Sequence, residues 1–291
     1  MHGIGETTAA ITIVNALPTG IGSAVGIDLR VHAEVELHPA GSHGKWDVRM
    51  AELARTPLVI ASLTEALQRF APGSSGRGEL KLRSEIPAAR GLKSSSAVSA
   101  AVILAVARAT GTEVASIDIG RLSASVARSI GVSATGALDD ALAALSAGVV
   151  VTDNRRGELL RSYPTAPHFG VALYIPDVAH RPSPEWAAAF AAEEARGRAA
   201  VEAVVSGDWV KAMEANTLLV ERVMGLDYGP LRAELSRRGA IASGVSGMGP
   251  ALAAVAPKDR LPDVIAAFPG ITDRRRTVSF SSPSSAVQER A

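Results

Sequence analysis

The sequence contains no cysteine among its 291 residues. This excludes disulfide bonds, thiolate nucleophiles and metal sites ligated by cysteine. Aromatic residues make up only 4% of the chain, so we expect a core built mainly from Ala, Val, Leu and Ile. An excess of charge of one sign is also lacking, because 30 Lys and Arg residues stand against 29 Asp and Glu residues and leave a net charge of +1. A nearly neutral chain carries no electrostatic footprint for nucleic acid or for an anionic membrane surface.

Long apolar runs are equally scarce. The most apolar one, residues 97–107, is interrupted by Ser99 and closed by Arg108, well short of the ~20 residues that a membrane-spanning helix needs. The N-terminus shows no basic leader followed by an apolar run, so the sequence predicts no signal peptide and a cytoplasmic location.

The first half of the chain mixes strand, loop and helix patterns. β-Branched residues near the N-terminus, the Gly-rich stretch LPTGIGSAVG and the alternating run IDLRVHAEVEL predict a strand, a loop and a second strand. Thr56 and Pro57 are typical of a helix start. Residues 94–110 are apolar on nearly every helical face, which indicates a helix in the centre of a domain. A further helix is predicted with Asp118 as its cap, and a hairpin is predicted around Asn154.

The second half begins with a new strand, FGVALYIPD, and we place a domain boundary near residue 165. This divides the chain into an N-terminal domain, 1–165, and a C-terminal domain, 166–291. Strand and helix patterns alternate in the second part, with two helical stretches near 185–205 and 208–225 and a frayed tail at 283–291. The pattern predicts an α+β fold.

The stretch IPAARGLKSSSAVSAA, residues 86–101, contains the most informative motif. Gly91 lets the chain turn, and three serines then stand where the apolar helix begins. A helix N-terminus offers unpaired N–H groups and a partial positive charge to a phosphate. Serine hydroxyls are also suitable ligands for Mg²⁺, and Lys93 adds a cation. The spacing is not that of a Walker A motif. The alternative is that the serines only cap the helix.

Two more segments are rich in glycine. In ASGVSGMGPALAAVA, the residues Gly244, Gly247 and Gly249 would let backbone amides approach an anion, or would simply form a tight turn. The stretch LPTGIGSAVG has one residue too many for a dinucleotide fingerprint, and a strand follows it directly. This disfavours a dinucleotide-dependent oxidoreductase and leaves either a bulged hairpin loop or a loop that approaches a ligand.

Asp139 and Asp140 are adjacent carboxylates in the segment VSATGALDDALAAL. Acidic residues in the first turn of a helix complement its dipole, and this alone would explain them. Next to a phosphate-binding helix, a carboxylate can instead orient or deprotonate an alcohol for phosphoryl transfer.

The order of these segments resembles the GHMP kinase superfamily. The central ATP motif of that family, a proline, three residues and Gly-Leu-Gly-Ser-Ser-Ala, stands here as PAARGLKSSSA, with Lys93 in place of a glycine. The segments NALPTGIGSAVGIDL, GLKSSSA and TGALDD are most similar to the archaeal-type shikimate kinase branch. The resemblance implies a two-domain fold, with a ribosomal S5-like N-terminal domain and a ferredoxin-like C-terminal α/β sandwich.

The resemblance also implies the site and its ligands, namely ATP, Mg²⁺ and shikimate. It implies Asp139 as the catalytic carboxylate with Asp140 as the alternative, Ser95 as a Mg²⁺ ligand, and Thr19 and Asp28 as substrate contacts. Arg30, Arg90 or another arginine would pair with the substrate carboxylate. The residues implied to bind the nucleotide are Pro87, Ala88, Ala89, Arg90, Gly91, Leu92, Lys93, Ser94, Ser95, Ser96 and Ala97, with Gly244, Gly247 and Gly249 flanking the phosphates.

Two alternatives to a shikimate kinase stay open at this point. One is another GHMP kinase, acting on homoserine, mevalonate or pantoate. The other is a nucleotide-binding sensor without catalytic activity on the same fold, against which the LDD segment argues.

Overall fold

The computed structural model describes residues 1–42, 44–178, 184–270 and 275–281, and it contains two sheets. The long strand β2 (Ile21–Ser42) organises the first sheet: β1 (His2–Val14) pairs along one edge, while β4 (Ser74–Ser84) and β5 (Val149–Asp153) share the other. β3 (Trp46–Met50) and β6 (Glu158–Tyr163) close the two ends.

The second sheet contains β7 (Phe169–Tyr174), β8 (Ala242–Val245), β9 (Leu252–Pro257) and β10 (Arg275–Ser279), all antiparallel, in the order β10-β7-β9-β8. With the intervening helices this is the βαββαβ arrangement of a ferredoxin-like sandwich. The first sheet ends at Tyr163 and the second begins at Phe169. Ile13 and Leu173, from different sheets, nevertheless belong to one continuous buried cluster.

The described residues form nine α-helices. Four belong to the first half: α1 (Pro57–Phe70), α2 (Ser94–Ala109), α3 (Ser116–Ser129) and α4 (Leu138–Leu145). The other five are α5 (Pro184–Ala191), α6 (Glu194–Val205), α7 (Trp209–Met224), α8 (Gly229–Arg237) and α9 (Leu261–Ala266). No helix among these described elements has the length and apolar character needed to cross a membrane.

α2 is the central helix, and it is buried on almost every face, as its composition predicts. It lies directly on β1, because a Cβ atom added at Gly5 would overlap the carbonyl of Ala101. Small residues on both elements therefore allow this close approach.

Most predicted elements are confirmed, including α1 with Thr56 as its N-cap. Asp118 is not the cap of α3, which is Ala115; Asp118 lies in the first turn. The predicted helix over 185–205 is two helices, α5 and α6, and β3 was not predicted. The predicted frayed tail, 283–291, lies outside the described residues.

Candidate active site

A cleft of about 730 Å³ lies where four segments meet. These are the loop after β1, the N-terminus of α2, the segment between α3 and α4, and the loop between β8 and β9. The central motif, the aspartate segment and the C-terminal Gly-rich loop therefore contribute to one cavity, although Gly91 and Ser246 are 155 residues apart in the chain.

Hydrogen bonds fasten the motifs to one another. The Ser246 hydroxyl donates to the carbonyl of Gly91 at 2.7 Å, and the Gly247 amide donates to the Thr12 hydroxyl at 2.8 Å. Asn15 joins this network, because its Nδ2 donates to the Gly247 carbonyl at 3.3 Å. Gly91 has a φ of +85°, and a Cβ atom there would overlap the Ser246 carbonyl. The contact between the two loops thus requires glycine at position 91.

Backbone strain is concentrated at the cleft. Among the described residues other than glycine, only Ala89, Lys93 and Ala137 have a positive φ, at 56°, 63° and 56°. All three line the cavity. A left-handed conformation costs an L-residue roughly 1–2 kcal/mol, and such strain is typical of functional sites. Tertiary contacts must therefore hold these turns in place.

The N-terminus of α2 faces the cleft with Ser94, Ser95 and Ser96 in its first turn. The N-cap is Lys93, and it supplies no side-chain hydrogen bond to the helix. The interpretation of the serines as N-caps is therefore wrong, because none of them occupies the N-cap position. The amides of the first turn remain available for an anion.

Asp139 lies in the first turn of α4 and is only 4% exposed. Asn154 orients it: the Asn154 Nδ2 donates to the carboxylate at 3.1 Å, while its Oδ1 accepts from the Leu138 amide at 2.6 Å. On the other side the carboxylate packs against Gly22 of β2, where an added Cβ atom would lie 2.5 Å from the Asp139 Cγ.

Burial, followed by the charge of Asp140, raises the pKa of Asp139 to about 7, while Lys93 and the Asn154 hydrogen bond act in the opposite direction. A carboxylate with a pKa in this range suits proton transfer near neutral pH. Asp139 thus has the burial, orientation and electrostatics of a general base.

Asp140 is 8% exposed and forms an ion pair with Lys93, with 3.0 Å between its Oδ1 and the Lys93 Nζ. The pair is electrostatic rather than a well-aligned hydrogen bond, since Asp140 Oδ1 has no partner of hydrogen-bond geometry. This ion pair joins the start of α4 to the start of α2.

The residues present fit a nucleotide-bound Mg²⁺. No group of three or more His, Asp or Glu side chains in the described part of the chain is placed to hold a metal ion unaided. Mg²⁺ is usually held by one or two carboxylates together with substrate phosphates. The Ser95 hydroxyl and the buried carboxylates of Asp139 and Asp140 at the same cleft provide suitable oxygen donors.

The structure brings most of the predicted site residues together, and the following line the cleft: Ala89, Gly91, Lys93, Ser94, Ser95, Ser96, Asp139, Asp140, Gly247 and Gly249. Leu92 and Ala97 are buried core residues, whereas Pro87, Ala88 and Arg90 complete the loop without lining the cavity. Arg90 instead forms an ion pair with Asp177 at 2.9 Å.

Three further predicted residues do not themselves line the cleft. Gly244 belongs to β8 and faces α7, because an added Cβ atom would lie 2.5 Å from the Thr217 hydroxyl. Asp28 is in an exposed ion pair with Arg30 at 2.9 Å, away from the cleft lining. The Thr19 hydroxyl is bonded within its own loop to the amide of Ile21 at 3.1 Å.

Sequence reasoning missed several residues that shape the site. Arg128 joins Lys93 as a cation on the cleft lining. Asn154 is predicted only as part of a hairpin, Ser246 belongs to the C-terminal Gly-rich segment without being singled out there, and Thr12 lies in no motif. The one available signal was the glycine at position 22, which lies in β2 rather than in a loop and leaves room for Asp139.

Comparison with known proteins agrees with this geometry. The family described as "GHMP kinases N terminal domain" matches residues 58–148. A shikimate kinase from Pyrococcus furiosus is 34% identical over 88% of this chain and 92% of its own length. One from Methanothrix thermoacetophila is 36% identical over 94% of this chain and 92% of its own length.

Solved structures show the same fold at low sequence identity. The mevalonate kinase of Methanococcus jannaschii superposes with a TM-score of 0.71 at 14% identity, covering 97% of this chain and 99% of that one. A homoserine kinase from Cytophaga hutchinsonii gives a TM-score of 0.69 at 14% identity, covering 97% and 96%. The expected α+β GHMP kinase fold is confirmed. The chain belongs to the GHMP kinase superfamily, in its archaeal-type shikimate kinase branch.

Proposed function

We propose that this protein transfers the γ-phosphoryl group of ATP to the 3-hydroxyl of shikimate, giving shikimate 3-phosphate and ADP, as a cytoplasmic enzyme of aromatic amino-acid biosynthesis. The observation that carries the proposal is the meeting of the α2 N-terminus with a buried, oriented Asp139 in one cleft. The family relationship to shikimate kinases supports the choice of acceptor.

Phosphoryl transfer requires little covalent chemistry from the protein, so positioning and charge neutralisation dominate. In the proposed mechanism the loop through Gly91 and the first turn of α2 bind the triphosphate with backbone amides. Asp139 orients the acceptor hydroxyl and accepts its proton as the new P–O bond forms. The bond to the ADP oxygen breaks in the same transfer.

Bound Mg²⁺ would neutralise phosphate charge during the reaction, and Ser95 at the cleft is the proposed protein ligand. Lys93 and Arg128 add positive charge to the lining. Gly247 and Gly249 border the same space from the C-terminal half. We retain Thr19 as a proposed substrate contact, because its loop lines the cleft through Asn15 and Leu17, and we do not include Asp28.

A sensor without catalytic activity would need the phosphate-binding loop but not an oriented buried acid. The Asn154–Asp139 hydrogen bond and the raised pKa of Asp139 favour an enzyme.

The test is an assay of ADP release with ATP and Mg²⁺ over shikimate, homoserine, mevalonate and pantoate as separate acceptors. We expect turnover with shikimate and only background with the others. Turnover of a different acceptor would assign another kinase activity. No turnover, combined with a melting temperature raised by ATP and Mg²⁺ but not by NAD, would support the sensor instead.

A further inference from the structure

Lys93 occupies a position that is unfavourable for a lysine backbone. It is the N-cap of α2 in the left-handed conformation, with a φ of 63°. Glycine adopts this conformation without steric cost, whereas a residue with a Cβ atom is strained there. A benefit from the side chain must therefore offset the strain.

The side chain spans the distance from the phosphate-binding loop to the aspartate turn. Its ammonium lies 3.0 Å from the Asp140 Oδ1, and the two side chains are only 13% and 11% exposed. The ammonium also borders the C-terminal Gly-rich loop, since a Cβ atom built on Gly247 would lie 3.5 Å from it. By contrast, the pair of Lys81 and Glu79 is more than half exposed, at 56% and 53%. Removing one partner of a buried pair leaves an uncompensated charge, so this pair constrains its surroundings far more than a surface pair does.

The partner of Lys93 is adjacent to the proposed base. Asp140 follows Asp139 in the first turn of α4, directly after the strained Ala137. The turn that carries the base is therefore fastened to the turn that would carry the phosphates by one short ion pair.

We propose that Lys93 is a positioning residue, which acts through Asp140 to hold the Asp139–Asp140 turn in register with the phosphate-binding loop. This inference rests on the proposed function. A displacement of a catalytic group by about 1 Å can lower the rate by about 100-fold. Lys93 would thus affect the transfer step rather than nucleotide affinity.

The test compares Lys93→Met, which keeps the backbone strain and removes the cation, with Lys93→Arg, which keeps the cation. Lys81→Met is the matched surface control. For Lys93→Met we expect kcat to fall by about 100-fold, with the KM for ATP changed by less than about 3-fold. Lys93→Arg should recover most of kcat, and Lys81→Met should match the parent chain.

A double-mutant cycle with Asp140→Asn tests the proposed route through Asp140. In the Asp140→Asn background, Lys93→Met should lower neither kcat nor the urea midpoint of unfolding much further. Lys93→Gly in that background should raise the urea midpoint, because it relieves the strain without stranding a charge. The Lys93→Gly substitution also replaces Lys93→Met in the cycle if Lys93→Met does not fold.

Other results would contradict either this inference or the proposed function. A rise in the KM for ATP with kcat preserved would mean that Lys93 only binds the nucleotide. Additive effects in the cycle would mean that it does not act through Asp140. Absence of shikimate turnover in the unmodified chain contradicts the proposed function itself, whereas normal turnover with an unchanged kcat in Lys93→Met contradicts only this inference.

Discussion

Replacing Gly91 by alanine tests the junction between the central and C-terminal loops. The residue has a φ of +85°, and the new Cβ atom would overlap the Ser246 carbonyl. The loop must then move, and the hydrogen bond from the Ser246 hydroxyl to the Gly91 carbonyl, 2.7 Å long, is the contact most directly affected. Gly111 provides a matched control, because its φ is +70° and nothing lies within 4 Å of a Cβ atom built on it.

The expected magnitudes follow from these two environments. Alanine at a left-handed glycine position costs about 1 kcal/mol from backbone conformation, and Gly111→Ala should lose only this amount. Gly91→Ala should lose a further 1–2 kcal/mol, roughly, from the steric overlap and the weakened hydrogen bond. If a similar amount is lost from nucleotide binding, the KM for ATP rises by about 10-fold, since about 1.4 kcal/mol corresponds to one factor of ten.

Urea unfolding and steady-state kinetics measure the two effects. The prediction is a lower free energy of unfolding for Gly91→Ala than for Gly111→Ala, together with a raised KM for ATP in Gly91→Ala alone. Equal stability of the two variants, with an unchanged KM for ATP, would refute the argument that the loops meet at this glycine.

Three further predictions concern the base and the metal. Gly22→Ala should lower kcat by about 100-fold, because the new Cβ atom displaces the Asp139 carboxylate. Gly41→Ala in the same strand is the control and should leave kcat unchanged, since its Cβ atom would lie 3.8 Å from its nearest neighbour. Equal kcat values in the two variants would mean that Gly22 does not position Asp139. Ser95→Ala should raise the Mg²⁺ concentration needed for half-maximal rate, and an unchanged Mg²⁺ dependence would exclude Ser95 as a ligand. Because the pKa of Asp139 is raised to about 7, kcat/KM should fall tenfold per pH unit below that pH. The folded state also binds this proton more tightly than the unfolded state does, so the contribution of Asp139 to stability is greatest at acidic pH and is lost as the pH rises through about 7. An activity profile that stays flat down to about pH 5 would contradict the role of Asp139 as the base.

Features of the fold that depend on neighbouring residues in the chain can be predicted from the sequence alone. Thr56 and Pro57 define the start of α1, and the apolar composition of 94–110 identifies the central helix. The Gly-Leu-Lys-Ser segment identifies the helix N-terminus that lines the cleft. Lys93 stands where the family motif has a glycine. Its left-handed φ of 63° explains why glycine suits that position.

Features that depend on distant contacts were not accessible in the same way. Ser246 and Gly91 are 155 residues apart, and only the fold brings them together. Asn154 has no local signal of its contact with Asp139, because the hairpin that carries it reaches the site through sheet pairing. Gly244 was grouped with its loop by composition, although the strand β8 places it against α7.

The central claim is that Asp139 activates the acceptor for phosphoryl transfer. A single-turnover experiment, with enzyme in excess over labelled ATP and with saturating shikimate and Mg²⁺, measures the rate of phosphoester formation directly. The account predicts shikimate 3-phosphate in the unmodified chain, and in Asp139→Asn a rate lower by at least about 100-fold with ATP affinity retained. Transfer at the parental rate in Asp139→Asn would contradict it.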